Sequence, residues 1–455
     1  MAGYEKIKAM AKERRCTILD LLVLARQNDP FFAGSETDWA MAMWFTGLWN
    51  DFGFTTGIHL RRVHYQLVSQ VDARKHNGLP YENTELDWDY LGKASKYART
   101  LKLVDPTAFV DRRNPNPHVF LTAGETTDPG WDHSFPEWNL PRIDSDLTWN
   151  MDWFLPDFHV AGYDRADLLQ PYHVEIWCEK STMDDILIPL CRQHNTNLVT
   201  GIGYMSITSV LDLLQRVKDI GRPCRVLYVS DFDPAGDSMP VAVARQIEFW
   251  IQEHPMADIK LNPIILTADQ VSKYKLPRIP IKETDRRKGN FEATYGTGAV
   301  ELDALEALHP GVFRQIVNEA ILQFVDQKLG RKLCQARDEA EEVLQVEFDD
   351  RIAPYENDLG EIENAVRDVV KNYQTRLKEL DDEMQADLEP YRERMESLRQ
   401  AVQDELDVID PDLPDLPEPE TPEEDDEWMF DSSRDYLDQL ATYKRRGVSE
   451  CQEAG

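Results

Sequence analysis

Two stretches decide the fold. The first is His173-Val174-Glu175-Ile176-Trp177-Cys178-Glu179-Lys180. The second is Arg225-Val226-Leu227-Tyr228-Val229-Ser230-Asp231-Phe232-Asp233-Pro234-Ala235-Gly236. Each is a short apolar run, rich in β-formers, that ends in a carboxylate and precedes a helical pattern. Working outward, strands are predicted over 173–178, 197–200, 225–230 and 259–266, and helices over 182–192, 206–218 and 238–253. This alternation predicts an α/β domain with a mostly parallel sheet covered on both faces. In such a sheet, groups at the carboxyl ends of strands meet in one crevice. Glu179, Asp231 and Asp233 are therefore expected to converge. Three carboxylates repel one another unless a hard divalent cation lies among them, and Mg²⁺ is the usual occupant. That arrangement suits chemistry on phosphate esters. The competing reading is a nucleotide- or sugar-binding α/β domain whose acids cap helices.

The chain has 455 residues, 42% of them hydrophobic. That length suggests roughly two to four domains with substantial cores. No apolar run is long enough to span a bilayer. The first residues lack the apolar core of a signal peptide. Cys16, Cys178, Cys191, Cys224, Cys334 and Cys451 show no C-x-x-C pairing, which argues against zinc and against a disulfide framework. A cytoplasmic, non-membrane protein is expected. The net charge of −33 is unevenly spread: residues 331–455 hold 38 acids and 15 bases. The acidity is therefore mostly C-terminal, which leaves residues 1–330 compatible with nucleic-acid binding.

Residues 1–55 read as helical, and 126–165, rich in Pro, Trp and Asp, as an irregular connector. From Ile352 through Tyr355, Leu359, Ile362, Val366, Val369, Tyr373, Leu377, Leu380 and Met384 to Leu388, Tyr391, Met395, Leu398 and Val402, apolar residues recur three and four apart. This predicts an α-helical coiled coil or long helical hairpin over 331–407, kinked or interrupted at Pro390. The acidic, proline-rich run that follows predicts a largely disordered tail over 408–455, with a short amphipathic stretch at Tyr436–Leu440. No P-loop motif is present.

If 59–71 is helical, Leu60, Val63, Leu67 and Val71 share one face and Tyr65 lies nearly opposite. Arg61 and Arg62 are its neighbours one turn back. An exposed tyrosine between two arginines is placed to meet a phosphate, as a tyrosine nucleophile must be. On these residues alone, a surface tyrosine lying over an arginine stem is the competing reading. A second helix starts at the capping sequence Asn83-Thr84-Glu85-Leu86-Asp87. Its stripe is Leu91, Ala94, Ala98 and Leu101, with Lys93, Lys96 and Arg99 opposite. One side in the core and one side basic is what a groove-facing recognition helix requires. Arg112 and Arg113 follow in a segment that reads as a basic wing. Thr284-Asp285-Arg286-Arg287-Lys288, with Glu301 and Asp303, reads as phosphate contacts or outer carboxylates beside the metal, or as a structural ion-pair network. The scattered histidines read as structural. The eleven tryptophans read as core and loop packing rather than a stacking platform.

These motifs also carry a resemblance. A Glu-ended strand, then Gly203-Tyr204, then Asp231-Phe232-Asp233-Pro234-Ala235-Gly236 resembles a Toprim domain. It is most similar to that of the topoisomerase VI A subunit and the related meiotic double-strand-break protein. Val300-Glu301-Leu302-Asp303-Ala304-Leu305 resembles that family's Glu-Ile-x-Ala-Leu element. Arg61-Arg62-Val63-His64-Tyr65 is similar to its Arg-x-x-Tyr-Tyr pattern, with His64 at the first tyrosine and Tyr65 at the attacking one. The resemblance spans 56–310 with gaps. It implies a winged-helix DNA-binding domain over 56–125 and a Toprim-like metal-binding domain over 166–330. It further implies attack of Tyr65 on a DNA phosphodiester, with Arg61, Arg62 and Glu179 assisting. Mg²⁺ would be held by Glu179, Asp231 and Asp233, and DNA by Lys93, Lys96, Arg99, Arg112 and Arg113. The partners it implies are DNA, a second copy of the chain in a homodimer, and a separate ATPase subunit. A hydrolytic Toprim nuclease and a non-catalytic DNA-binding regulator are the alternatives.

Overall fold

The computed structural model describes residues 3–141, 153–253, 257–373, 381–424 and 428–446. The protein is mixed α/β, and no described helix is long and apolar enough to cross a membrane. The chain opens with α1 (Gly3–Arg14), α2 (Glu36–Asp51), α3 (Leu60–Val68) and α4 (Glu85–Thr100). Next come β1 (Gly130–Ser134), β2 (Asp157–Ala161) and α5 (Ala166–Leu169). The central run is β3 (His173–Cys178), α6 (Asp184–Gln193), β4 (Asn197–Thr200), α7 (Ile207–Ile220), β5 (Cys224–Val229), α8 (Pro234–Trp250) and β6 (Ile259–Ile265). Then follow α9 (Ala268–Lys273), α10 (Lys288–Tyr295), α11 (Leu302–Leu308), α12 (Val312–Leu322), α13 (Leu329–Tyr373) and α14 (Asp381–Leu406). The last elements are β7 (Phe430–Asp431) and α15 (Tyr436–Arg445). Two compact units result. One comprises Met1–Gly124, Gln170–Asp326 and Thr421–Gly455, the other Glu125–Leu169 and Gln327–Glu420.

In the first unit five strands lie in the order β4-β3-β5-β6-β7. β3 is parallel to β4 and to β5, and β5 is parallel to β6, while β7 is antiparallel to β6. Every residue of β3 and β5 is buried, because helices cover both faces. Val174, Ile176, Leu227 and Val229 pack with Leu187 and Leu190 of α6. Trp177, Val226 and Tyr228 turn the other way, toward Leu213 and Leu214 of α7 and Ile247 of α8. The expected strands and helices are present, with ends shifted by a few residues. α8 starts earlier than expected, at Pro234, because Asp233 caps it and proline at the first helical position forfeits no hydrogen bond. α7 is closed by Gly221, whose φ of 72° lets its N–H reach back to the Val217 carbonyl. From β3 the chain moves to one side to form β4, then crosses to the other side to form β5. The carboxyl ends of β3 and β5 thus flank a topological switch point.

α2, α3 and α4 build a separate small core around Phe45, Trp49, Val63, Leu91 and Phe109. α3 stops at Val68, with Ser69 as its C-cap. Val71, expected on the apolar stripe, therefore lies beyond the helix and is exposed.

In the second unit, β1 and β2 pair antiparallel within the stretch expected to be irregular. Val160 of this pair packs with the long helices. α13 and α14 form an antiparallel hairpin, since Arg351 reaches Glu405 and Arg394 reaches Glu361. The apolar stripe is satisfied within the chain: Ile352, Leu359, Ile362, Val366, Met384, Leu388, Met395, Leu398 and Val402 are buried together. Leu377 and Leu380, and the side chain of Tyr373, lie outside the described residues. α14 runs unbroken through Pro390. Packing of Leu388 and Met395 on either side offsets a proline penalty of about 3 kcal/mol.

The expected disordered tail is corrected in one part. Trp428, Met429, Phe430 and Tyr443 are buried in the first unit, where β7 and α15 complete the sheet and its cover. Residues 409–424 form no helix or strand, and 447–455 lie outside the described residues.

Candidate nucleic-acid interface and acidic crevice

Glu179 leaves the end of β3, and its N–H donates to the Val229 carbonyl at the end of β5. Asp231 follows two residues after β5. The Glu179 Oε1 accepts a 2.6 Å hydrogen bond from the Asp231 main-chain N–H, while Glu179 Oε2 is buried without a partner. Both residues are less than a tenth exposed. Desolvation, reinforced by the Asp231 and Asp233 charges, pushes the Glu179 carboxyl up to about 8.

Asp233 is the N-cap of α8, its Oδ1 accepting from the Gly236 N–H at 2.6 Å. Burial raises its pKa too, with Asp231 adding to the effect. Gly236 has no alternative at its position: a Cβ there would lie 2.0 Å from the Asp231 carbonyl oxygen. Asp231 Oδ1 accepts from the Leu302 N–H at 2.7 Å, which seats the Val300–Leu305 element against the crevice. Asp231 Oδ2 pairs with Lys180 Nζ at 2.7 Å, and the same ammonium lies 3.4 Å from both Glu301 and Asp303. Partial burial opposes the Lys180 charge, but these three carboxylates outweigh it and hold its pKa above the ordinary lysine value. Glu301 and Asp303 are thus tied to Asp231 by an ion-pair network through Lys180. Arg287 belongs elsewhere: it pairs with Asp285 and donates to the Tyr204 hydroxyl and, at 2.9 Å, to Ser238 Oγ.

The expected trio lies close together, with its oxygens partly engaged by the protein itself. Glu179 and Asp231 meet, Asp233 is turned to cap its helix, and Lys180 holds one oxygen of Asp231. Among the described residues no group of three or more His, Cys, Asp or Glu is arranged to hold a metal ion. The donors are nevertheless all oxygens, suited to a hard cation. Glu179 Oε2 has no hydrogen-bond partner among the described residues. A cation there would have to share Asp231 Oδ2 with Lys180.

Tyr65 projects from α3 with 61% of its surface exposed, as its helical position predicts. Its neighbour His64 turns inward instead, held between the Tyr81 hydroxyl at 2.7 Å and Asn83 Oδ1 at 3.0 Å. Beside α3 lies an open cleft of about 700 Å³ lined by Gly57, His59, Arg61, Arg62, Trp88, Arg112 and Arg113. No described carboxylate pairs with any of these four arginines. In a chain with 83 acids and 50 bases, such a concentration of free positive charge is unusual. The loop carrying Arg112 and Arg113 is set by Asp111, which accepts from the Arg113 N–H at 2.8 Å and from Asn114 Nδ2 at 2.8 Å. Asn114 Oδ1 in turn accepts from the Ile202 N–H at 2.9 Å, and Ile202 bridges Lys180. One residue thus separates the basic loop from the acidic crevice.

The expected basic face of α4 is also corrected. Lys93 is exposed. Lys96 points back to the Gln27 carbonyl, and burial depresses its pKa to about 8. Arg99 is only 8% exposed; it donates to the Pro106 carbonyl at 2.8 Å and to Thr208 Oγ1 at 3.0 Å. α4 is covered on a second side, so the apolar stripe understated its buried arc. Lys180, His59 and Trp88 escaped the sequence reading. A lysine directly after a strand-end glutamate was the available signal for the first; no local pattern marks the other two.

No family model matches the chain, and no curated protein matches it.

Proposed function

We propose that this protein binds DNA and cleaves a phosphodiester by tyrosine transesterification, in the manner of a topoisomerase VI A subunit. The observation that carries the reading is the cleft of four arginines, none paired with a described carboxylate, two of which, Arg61 and Arg62, stand one helical turn before the exposed Tyr65, itself outside the lining. Unpaired guanidinium groups in an acidic protein call for a polyanion, and their planar forks suit phosphate. In the proposed step the Tyr65 phenol oxygen bonds to phosphorus and a deoxyribose oxygen leaves. The phenol proton is lost, and the leaving oxygen takes one up. Without metal the Glu179 carboxyl is raised to about 8 and carries a proton near neutrality; where Mg²⁺ holds it ionised, the leaving oxygen takes its proton from solvent. Glu179, Asp231 and Asp233 would hold Mg²⁺, which supplies charge stabilisation at the phosphate when bound. Arg61 and Arg62 orient the phosphate against Tyr65, and Arg112, Arg113 and Lys93 add backbone contacts. Lys96 and Arg99 are not assigned to DNA. Each protomer cuts one strand, so a double-strand break takes a homodimer, and strand passage takes a separate ATPase subunit.

The test is a trapped reaction of wild type and Tyr65→Phe with Mg²⁺ and labelled duplex, run on denaturing gels. Wild type is expected to carry covalently bound DNA, and the variant none, with DNA binding intact. Cleavage by the variant at the wild-type rate would replace this reading with a hydrolytic nuclease. DNA binding by wild type with no cleavage in Mg²⁺ would leave a regulatory DNA-binding protein.

A further inference from the structure

The arginine cleft contains more than a phosphate site needs. Its side-chain polar groups are all donors. Four guanidinium groups supply most of them. His59 supplies another: its Nδ1 accepts from the Arg61 N–H at 3.2 Å, so in its neutral form the proton is on Nε2. Desolvation and the charges of Arg61 and Arg112 favour that neutral form. The nearby Asp111 carboxylate is engaged by its own loop. Side chains that offer mainly donors select a ligand rich in acceptors. The remaining large group in the lining is Trp88, half-buried on α4, with its ring edge-to-face against His64 at 5.3 Å. An indole offers nothing to a phosphate beyond one N–H, but its face takes an unsaturated ring. The cleft is also roomy, at about 700 Å³.

We infer that the cleft receives an unstacked nucleotide of a DNA strand, its phosphate among Arg61, Arg62, Arg112 and Arg113 and its base on Trp88. This rests on the DNA-binding reading above and narrows the substrate to DNA that is single-stranded or locally opened. A base inside a straight duplex has no free face to give Trp88. Trp88 also packs against the small core of α2, α3 and α4, so the base contact adds a second role to the core and loop packing expected of the tryptophans.

The experiment is fluorescence anisotropy on the full chain at fixed salt. The probes are a labelled oligothymidylate, an abasic strand of equal length and charge, and a straight duplex. Base–aromatic stacking predicts that wild type binds oligothymidylate about tenfold tighter than the abasic strand. Trp88→Ala is expected to erase that ratio and leave abasic affinity unchanged. Trp88→Tyr keeps a ring against His64 and is expected to retain most of the ratio, which guards against a folding defect in the alanine variant. Equal wild-type affinity for the two strands overturns the inference. So does equal weakening on both strands in either variant, or tighter binding of the straight duplex than of oligothymidylate. Unlabelled deoxythymidine triphosphate competing as well as the oligonucleotide would make the ligand a free nucleotide, and would also overturn it. Failure of the DNA-binding reading itself looks different: no strand binds with a salt dependence that Arg61→Ala or Arg112→Ala reduces.

Discussion

Glu179 accepts the Asp231 main-chain N–H with one oxygen and leaves the other buried and unpaired beside the Asp231 carboxylate. The relationship makes the crevice pH-sensitive. The Glu179 pKa is about 8 in the fold against a reference of 4.5. Because the folded value is raised, the contribution to stability is fully present below about pH 4.5 and is lost as pH rises through 8. Wild type should therefore lose stability relative to Glu179→Gln between pH 5 and pH 8. Mg²⁺ selects the ionised carboxylate, so binding at pH 7 should release protons in wild type and fewer in Glu179→Gln. Calorimetry in buffers of different ionisation enthalpy reads this directly. Identical proton release in the two proteins would rule out Glu179 as the titrating ligand.

Lys180 is the resident counter-charge of Asp231, Glu301 and Asp303. Lys180→Met removes a cation that competes with the metal. Mg²⁺ affinity should rise by about tenfold, while the metal-free protein melts earlier because three acids lose their shared partner. Asp231→Ala and Asp233→Ala should instead weaken Mg²⁺ binding with the fold retained. Titration calorimetry with all three variants separates the cases. If the aspartate variants bind Mg²⁺ as wild type does, the site is misassigned.

The arginines divide into two groups by burial. Arg61, Arg62, Arg112 and Arg113 line the open cleft, whereas Arg99 is buried between Pro106 and Thr208. Replacing any one of the first four by alanine should lower the slope of log affinity against log salt by about one unit and leave the melting temperature near wild type. Arg99→Met should leave that slope alone and destabilise the protein by about 1–3 kcal/mol, since the Pro106 carbonyl and the Thr208 hydroxyl lose their donor. A changed salt slope in Arg99→Met would return that residue to the DNA surface.

Much of the sheet was legible because β3 and β5 are fully buried strands, whose unbroken apolar runs stand out from the helical patterns between them. The outward direction of Tyr65 followed from helical spacing alone. The destination of each charge was less legible. Whether Arg99 faces water depends on what covers the second side of α4, and that cover comes from segments remote in sequence. The partners inside the acidic trio were hidden for a similar reason. Asp233 serves its own helix, and Lys180 takes up Asp231; sequence spacing shows that these groups are near but not which pairs form. The heptads pointed to long helices without saying whether the partner was in the same chain.

The C-terminal segment is where local composition misled most. Its acidic, proline-rich approach hides residues that the first unit requires. The Tyr436 hydroxyl donates to the Leu21 carbonyl at 2.5 Å and accepts from Arg245 Nη2 at 2.5 Å. Arg245 is wholly buried and also pairs with Asp29, so Tyr436 completes the shell of an interior charge. Tyr436→Phe removes one hydroxyl and leaves a buried guanidinium N–H and a carbonyl unsatisfied, which should cost about 1–3 kcal/mol. Deleting 408–455 should do far more, because it also strips Trp428, Phe430 and Tyr443 from two cores. Loss of soluble folded protein is expected, not the tighter DNA binding that an inert acidic tail would give. Neutralising Asp410, Asp412, Asp415, Glu418 and Glu420 to their amides keeps the docked end and tests the electrostatic effect alone. That variant should bind DNA more tightly at low salt, with the difference vanishing as salt screens it. A stable, DNA-binding protein lacking 408–455 would show that β7 and α15 are dispensable and that their burial contributes little.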